Sequence, residues 1–274
     1  MSSLTKMLAI LDLFPIERPT LTLDEIVNAL GSSQPTVYRY LRELASAGLI
    51  VRYAQGFALG PRAVELDYII RNSSPLLRAS DEILGELRDR HGCDLQLLEM
   101  MGDRILCVHH VSGARAVTVS FRRGRSMPLL RGSGSKAIMS RLPAARVRKL
   151  LSEHPEDLAN SAIGHAVPEV LAELQRIRRA RVSLSQGELD PETAGAAAPI
   201  VREGSGVSSV VMVFARRQFA LMDQDRVAGI VQDAAAQIAA RLDVIIAQSS
   251  AASDPFAPRA GGSATQPLRK RASK

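Results

Sequence analysis

Residues 22–59 read TLDEIVNALGSSQPTVYRYLRELASAGLIVRYAQGFAL. Thr22-Leu23-Asp24-Glu25 has the form of a capping box. Thr22 accepts from the third helical amide, Glu25 reaches back, and Leu21 and Ile26 are spaced to close a hydrophobic staple. The spacing predicts a helix over Leu23–Leu30 and a tight turn at Gly31. Ser32 or Ser33 caps a second helix, with Pro35 in its first turn, where a missing N–H is tolerated. Along that helix Val37, Tyr40, Leu41 and Leu44 share one stripe, and Pro35, Tyr38, Arg39, Arg42 and Ser46 share the opposite one. Gly48 ends it. Two short apolar runs follow, Ile50–Tyr53 and Phe57–Leu59, broken at Gln55-Gly56. Helix, turn, helix and hairpin in this order describe a winged helix, a shape that lays its second helix in the major groove of DNA.

A charged outer helix face by itself is usually no more than solvated surface. Here the face follows a capped helix and a three-residue turn, and a basic hairpin comes next. The expected DNA-contacting set is therefore Ser33, Gln34, Thr36, Tyr38, Arg39, Arg42, Arg52 and Gln55. Gln34 and Thr36 suit base edges, Arg39 and Arg42 suit guanine or phosphate, and Tyr38 suits phosphate or a thymine methyl. Arg52 and Gln55 lie near the wing tip, placed for the DNA backbone. Upstream, Leu4, Met7, Leu8, Leu11 and Phe14 recur at helical spacing over Leu4–Phe14. Ile10 and Leu13 widen that stripe enough to serve both a core and a second subunit.

The bulk numbers set the frame. A chain of 274 residues is long for one small module and suits two domains. The net charge of +7 invites a nucleic-acid reading, but its distribution weakens that argument. Residues 1–60 balance Lys6, Arg18, Arg39, Arg42 and Arg52 against Asp12, Glu17, Asp24, Glu25 and Glu43. Residues 252–274 set Arg259, Arg269, Lys270, Arg271 and Lys274 against Asp254 alone. Placement, not net charge, carries the case. Cys93 and Cys107 form no CxxC pair and no Cys/His cluster, so neither a disulfide scaffold nor a structural zinc site is expected. Lys6–Phe14 is too short an apolar run for a signal peptide, is interrupted by Asp12, and is followed by Pro15 and Glu17. No run reaches the roughly 18–20 apolar residues of a membrane span. A cytoplasmic protein without membrane partner is the expectation.

Beyond Pro61 the pattern changes. Pro61–Arg71 reads as a linker helix, interrupted at Asn72-Ser73-Ser74-Pro75, and a further helix covers Leu76–Arg90. Asp94–Met101 and Arg104–Val111 form a hairpin at Gly102-Asp103. Ala116–Phe121, Ala194–Val201 and Val207–Ala215 read as strands. Residues 132–141, 144–151, 168–180 and the stretch to Ala247 read as helices. The mixed order suits an antiparallel sheet with helices packed on it, hence an α+β chain. Arg131-Gly132-Ser133-Gly134-Ser135-Lys136 departs from a Walker A loop, since Ser precedes Lys136 and Ala137 follows it. Its small residues nevertheless leave exposed amides that favour an anionic ligand group. His109 and His110 point to opposite faces of a strand and are expected as core or surface histidines. Glu188 and Asp190 have neither nucleophile nor second base beside them and are expected as solvated loop carboxylates. No catalytic residue, metal site or cofactor is expected. From Gln248 the chain is rich in Ala, Ser, Gly and Pro and ends in Arg269-Lys270-Arg271, the composition of a disordered basic tail.

SLTKMLAILDLF, LTLDEIVNALGSSQPTVYRYLRELASAGLIVR and FALGPRAVEL resemble the N-terminal domain of the isocitrate lyase regulator (IclR) family of bacterial transcription factors. Residues 124–143, 173–201 and the helix Asp223–Leu242 resemble its effector domain, so the likeness covers about residues 3–245. Two positions depart from the family pattern. Arg181 stands where a glycine usually precedes the strand starting at Val182, and Gly134-Ser135-Lys136 lacks the usual glycine before lysine.

The resemblance implies a winged helix-turn-helix domain over 1–60, a linker helix over 61–78, a GAF-like effector domain over 79–247 with an antiparallel sheet flanked by helices, and a tail over 248–274. It implies a homodimer or tetramer on a palindromic double-stranded operator, controlling a catabolic operon as repressor or activator. The effector it implies is a small organic acid of aromatic size. By family position Ser133 and Gly134 line the effector pocket and face Ser185 and Gly195, with Met127, Leu129 and Met139 as its apolar wall. The competing readings are an enzyme fused to a DNA-binding domain and an architectural DNA binder that senses nothing.

Overall fold

The computed structural model describes residues 2–115, 117–202 and 206–252, in two compact units, Met1–Ser74 and Pro75–Lys274. The expectation of a disordered tail falls mainly on residues 253–274, outside the described residues.

The first unit contains α1 (Ser3–Ala9), a 3-10 turn (Ile10–Leu13), α2 (Leu23–Leu30), α3 (Gln34–Ser46), β1 (Ile50–Tyr53), β2 (Gly56–Leu59) and α4 (Arg62–Ser73). Local chemistry explains its boundaries. The Glu25 amide donates to Thr22 Oγ1 at 3.3 Å and the Thr22 amide donates to Glu25 Oε2 at 2.8 Å, so the capping box is closed. That backbone donor, with the Arg18 guanidinium, holds the Glu25 carboxyl below its ordinary range. Gly31 ends α2 in the left-handed region at φ 58°. At the end of α3, Leu49 N donates to Leu44 O and Gly48 N donates to Ala45 O, the paired bonds of a Schellman motif around Gly48.

Leu21 exchanges backbone hydrogen bonds with Phe57 (2.9 and 2.8 Å), which adds a third strand segment to the wing. This approach demands glycine at 56, since a Cβ there would lie 2.3 Å from the Leu21 carbonyl oxygen. Ile10, Ile26, Val37, Leu41, Leu44, Ile50 and Phe57 form the core. Ile10, read with Leu13 as widening the apolar stripe of the first helix, lies in the 3-10 turn and is fully buried, while Leu4 and Leu8 of that stripe are exposed.

The second unit begins with α5 (Pro75–His91), so Leu76 and Leu77, expected to lie in or beside a linker, are already part of its core. It continues with β3 (Asp94–Met101), β4 (Arg104–Val111), β5 (Ser126–Met127), α6 (Ser133–Met139), α7 (Ala144–Glu153), α8 (Pro155–Ala159), α9 (Val167–Ala180), β6 (Ser183–Gln186), β7 (Thr193–Ile200), β8 (Ser208–Ala215), α10 (Arg216–Phe219) and α11 (Gln224–Ala252). The strands form one antiparallel sheet in the order β5-β4-β3-β8-β7-β6.

Strand alternation sorts residues between two cores. Leu95, Leu97, Ala194, Ala196, Ala198, Val210, Met212 and Phe214 face α5 and α11. Leu98, Ala197, Val211 and Val213 face the side of α6, α7 and α9. β7 is buried along its whole length, and its run of small residues lets α6 settle onto the sheet. Gly134 marks the contact: a Cβ there would sit 2.4 Å from Leu98 Cδ1 and 2.7 Å from Val211 Cγ2.

One expected strand is absent among the described residues. Residues 117–121 form no strand, because the slot beside β4 is taken by β5 through the pairs Ile105–Met127 and Leu106–Ser126. Ala116, the first residue of that expected strand, lies outside the described residues. Arg181 ends α9 in the left-handed region at φ 56°, alone among the described non-glycine residues. The backbone keeps a glycine's conformation without the glycine, at a strain of roughly 1–2 kcal/mol.

Candidate nucleic-acid interface and ligand cavity

The buried stripe of α3 is Val37, Tyr40, Leu41 and Leu44, and the opposite face is bare. Tyr38 is 50% exposed and the Arg42 side chain 71%. Ser33, Gln34, Arg39, Arg52 and Gln55 are also exposed, while Thr36 is half-buried. Ser33 occupies the N-cap position, but its hydroxyl pairs with Thr36 Oγ1 at 2.9 Å and not with a helical amide. Arg39 stacks over Tyr40 and Arg52 over Phe57, with the guanidinium carbons 5.7 and 6.0 Å from the ring centroids. These cation–π contacts steady the guanidinium groups on residues that remain exposed. Among the described residues the acidic contact on this surface is Arg42 with Glu43 at 3.5 Å, a weak exposed pair. The face thus offers a free row of donors with an apolar core directly behind it.

A cavity opens beside the sheet of the second unit. Its lining includes Gln96, Leu98, Val119, Phe121, Met127, Ser133, Gly134, Ser185, Glu188, Leu189, Asp190, Gly195, Val211 and Val213. It encloses about 460 Å³ of atom-free space open to solvent, of which only about 40 Å³ can take the centre of a water molecule. Met127, Ser133, Gly134, Ser185 and Gly195 meet on this lining. Ser185 pairs with Gly195 across the ladder, and Ser133 packs against Gly195 so closely that a Cβ would lie 2.7 Å from its Oγ. Leu129 and Met139 do not line this cavity. Both are core residues in the layer of α6 and α7; Leu129 lies in the turn before α6, and Met139 ends a helix buried on every side, which offers no polar stripe to show which face meets the cavity.

Glu188 and Asp190 are engaged in the fold, contrary to the solvated loop expected of them. Glu188 Oε1 lies 2.5 Å from Nζ of Lys136, whose side chain is 5% exposed, and Glu188 Oε2 accepts from the Gly132 amide at 2.8 Å. Arg131 grips the Glu188 carbonyl through Nε and Nη2. Asp190 accepts from the amide and hydroxyl of Ser120. The segment around 187–192 therefore closes one side of the cavity, and residues 119–121 close the next. There Gln96 Nε2 donates to the Phe121 carbonyl at 2.8 Å. The exposed amides expected at the start of α6 are in part occupied by the chain's own carboxylate. The separation of Lys136 and Glu188 in sequence left no local signal of this pair.

His110 Nε2 lies 3.0 Å from Asp94 Oδ2, and the Gly113 amide donates to Asp94 Oδ1, so this histidine is a partnered core group. Cys93 and Cys107 are buried free thiols, and burial pushes both up to about 12. Among the described residues His154, Glu156 and Asp157 place three possible metal-ligand atoms within 4.8 Å of one another, a juxtaposition the sequence reading did not single out. His154 also lies 3.4 Å from Asp103 Oδ2 and 3.5 Å from Glu156 Oε1. Asp157 is held above its ordinary range by burial and accepts from the Leu129 amide. Among the described residues no helix is long and apolar enough to cross a membrane.

Residues 3–53 match the family described as the IclR helix-turn-helix domain, and residues 70–240 match the bacterial transcriptional regulator IclR C-terminal family. The chain belongs to the IclR family of bacterial transcriptional regulators. It is similar to the HTH-type transcriptional regulator KipR of Bacillus subtilis, 25% identical over 244 residues, covering 88% of this chain and 96% of that one. The HTH-type transcriptional regulator XynR of Escherichia coli K12 is 23% identical over 207 residues, covering 75% of this chain and 82% of that one.

Two solved structures share the fold. An IclR-type regulator from a Silicibacter species superposes with a TM-score of 0.74 at 22% identity, covering 88% of this chain and 96% of that one. An IclR homologue from Microbacterium hydrocarbonoxydans, complexed with 4-hydroxybenzoate, superposes with a TM-score of 0.71 at 22% identity, covering 89% of this chain and all of that one.

Proposed function

We propose that this chain is a ligand-responsive transcription factor that reads a palindromic operator as a dimer or a dimer of dimers. The observation that carries the reading is the face of α3 with Tyr38, Arg39 and Arg42 outward and no covering element in its own unit. Gln34 and Thr36 contact base edges, Arg39 and Arg42 contact guanine or phosphate, and Arg52 and Gln55 hold the backbone from the wing. Leu4 and Leu8 of α1 and Val64, Tyr68 and Ile69 of α4 are exposed apolar residues that suit a second subunit. The cavity lined by Met127, Ser133, Gly134, Ser185 and Gly195 takes a small organic acid of aromatic size. The complex of a homologue with 4-hydroxybenzoate supports that class. Ligand binding shifts the balance between two arrangements of the dimer and so the operator occupancy. The protein works in the cytoplasm on a catabolic operon.

The test is selection of binding sites from a random duplex pool, followed by footprinting. Wild-type protein should enrich a two-fold symmetric site. Arg39→Ala and Arg42→Ala should each weaken it about tenfold or more, the loss of one charge-assisted contact, with unchanged circular dichroism and oligomeric state. Equal footprinting affinity in both variants would remove α3 as the recognition element.

A further inference from the structure

The second unit has another opening, away from the cavity already described. It is a groove of about 640 Å³ between the end of β7 and α11, a size within the range of roughly 300–1,000 Å³ typical of small-molecule sites. Ala198, Pro199, Val201, Ala235, Ala236 and Ala239 give it an apolar floor, and Arg141 and Arg181 stand on its wall.

Its electrostatics are unbalanced. None of the guanidinium groups of Arg141, Arg178 and Arg181 makes an ion pair or hydrogen bond among the described residues. Asp233 is the one acidic side chain among the described residues of the lining. Arg141 is half-buried, and burial together with the charges of Arg178 and Arg181 holds its guanidinium below the ordinary value. Like charges gathered without a counter-charge oppose folding. The same wall carries a second, independent cost: Arg181 holds the left-handed conformation that a glycine would adopt without strain. Two unfavourable features, one electrostatic and one conformational, thus converge on the same groove, a pattern found where a site is kept for binding.

We propose that this groove is a second ligand site, distinct from the effector cavity, for a small apolar molecule carrying a phosphate group. Arg141 and Arg181 against Asp233 leave the lining with a surplus of one positive charge, and Arg178 adds to the field from outside it, so a bound anion is favoured. The forked guanidinium donors of Arg141 and Arg181 match phosphate oxygens, and the alanine, proline and valine floor takes the apolar part.

The probe is phenyl phosphate, titrated calorimetrically into the full chain, with phenol and inorganic phosphate as partial ligands. Saturable binding of one phenyl phosphate per chain is expected, tighter than either part. Arg141→Ala and Arg181→Gly should each weaken it about tenfold or more, the loss of a charge-assisted contact. Arg181→Gly also guards against trivial misfolding, since relief of strain should raise its melting temperature by about 2–4 °C. Ser185→Phe, which fills the effector cavity, should leave phenyl phosphate binding unchanged. No saturable binding by wild-type protein, undiminished binding by Arg181→Gly, or loss of binding in Ser185→Phe each overturns the proposal. So does a change of oligomeric state in Arg141→Ala, which would make the groove a contact between copies of the chain. None of these readouts involves DNA, so failure here leaves the regulator reading to its own test.

Discussion

Ser135 carries a fully buried hydroxyl with no hydrogen-bond partner among the described residues, in the middle of α6 where every residue is buried. Desolvating an unpaired hydroxyl costs about 1–3 kcal/mol, and alanine keeps the Cβ that packs there. Ser135→Ala should therefore hold or raise the melting temperature, and a clear drop in calorimetry would show that the hydroxyl has a role the fold does not explain. Single residues also mark where the sequence was legible. Thr22, Glu25, Gly31 and Gly48 announce their helix ends because each acts within a few residues of itself. Glu188 does not, because its partner Lys136 comes from a helix more than fifty positions upstream. Arg181 is an intermediate case. It was visible as a departure from a family pattern, while the left-handed backbone that makes it consequential was not.

At the scale of elements, the segment 187–192 behaves as a clasp. Glu188 ties it to Gly132 and Lys136, and Asp190 ties it to Ser120. An acid entering the cavity meets a carboxylate already on those donors. Glu188→Gln should lower stability by about 3–5 kcal/mol, because it leaves Lys136 buried without its counter-charge. With 4-hydroxybenzoate, the ligand of the Microbacterium homologue, as probe of the proposed effector cavity, any thermal stabilisation should be larger in Glu188→Gln, where the acid no longer competes with the Glu188 carboxylate. An equal or smaller ligand-induced shift than in wild-type protein would rule out competition between Glu188 and the ligand.

Element boundaries were readable where periodicity and caps agreed, as for α2, β3 and β4. The expected strand over residues 116–121 failed for a physical reason. Alternation of apolar and polar residues serves a cavity roof as well as a sheet, with Val119 and Phe121 facing the cavity and Ser120 bound to Asp190. The short elements α8, α10 and β5 have too few residues to carry a period at all.

For the molecule as a whole, the two units divide the proposed labour, and a substitution that fills the cavity should separate sensing from DNA binding. With the proposed effector reading and an aromatic acid such as 4-hydroxybenzoate as probe, Ser185→Phe should abolish any ligand-induced change in operator affinity and leave the unliganded footprint as it was. A retained response would move the effector elsewhere. The α+β class and the order of the longer helices and strands were evident from the sequence. The full lining of the cavity was not, since it depends on residues from separate segments of the chain meeting. Stability of the whole should also decline in alkali. The Cys93 and Cys107 thiols are pushed by burial from an ordinary 9.0 to about 12. Above about pH 9 the unfolded chain therefore loses thiol protons that the folded chain retains. The contribution is complete below pH 9 and is lost progressively as pH rises toward 12. Denaturant midpoints measured across that interval should fall, and replacing both cysteines by alanine should flatten the slope.

The seclusion of those two sulfurs has a practical side. Neutral and inaccessible thiols react slowly with maleimides and peroxides, so a cysteine installed at Gln55, on the exposed tip of the wing, would be the sole quickly reacting sulfur. A fluorophore coupled there could report each encounter of the hairpin with a duplex in real time, without first stripping the native cysteines from the chain.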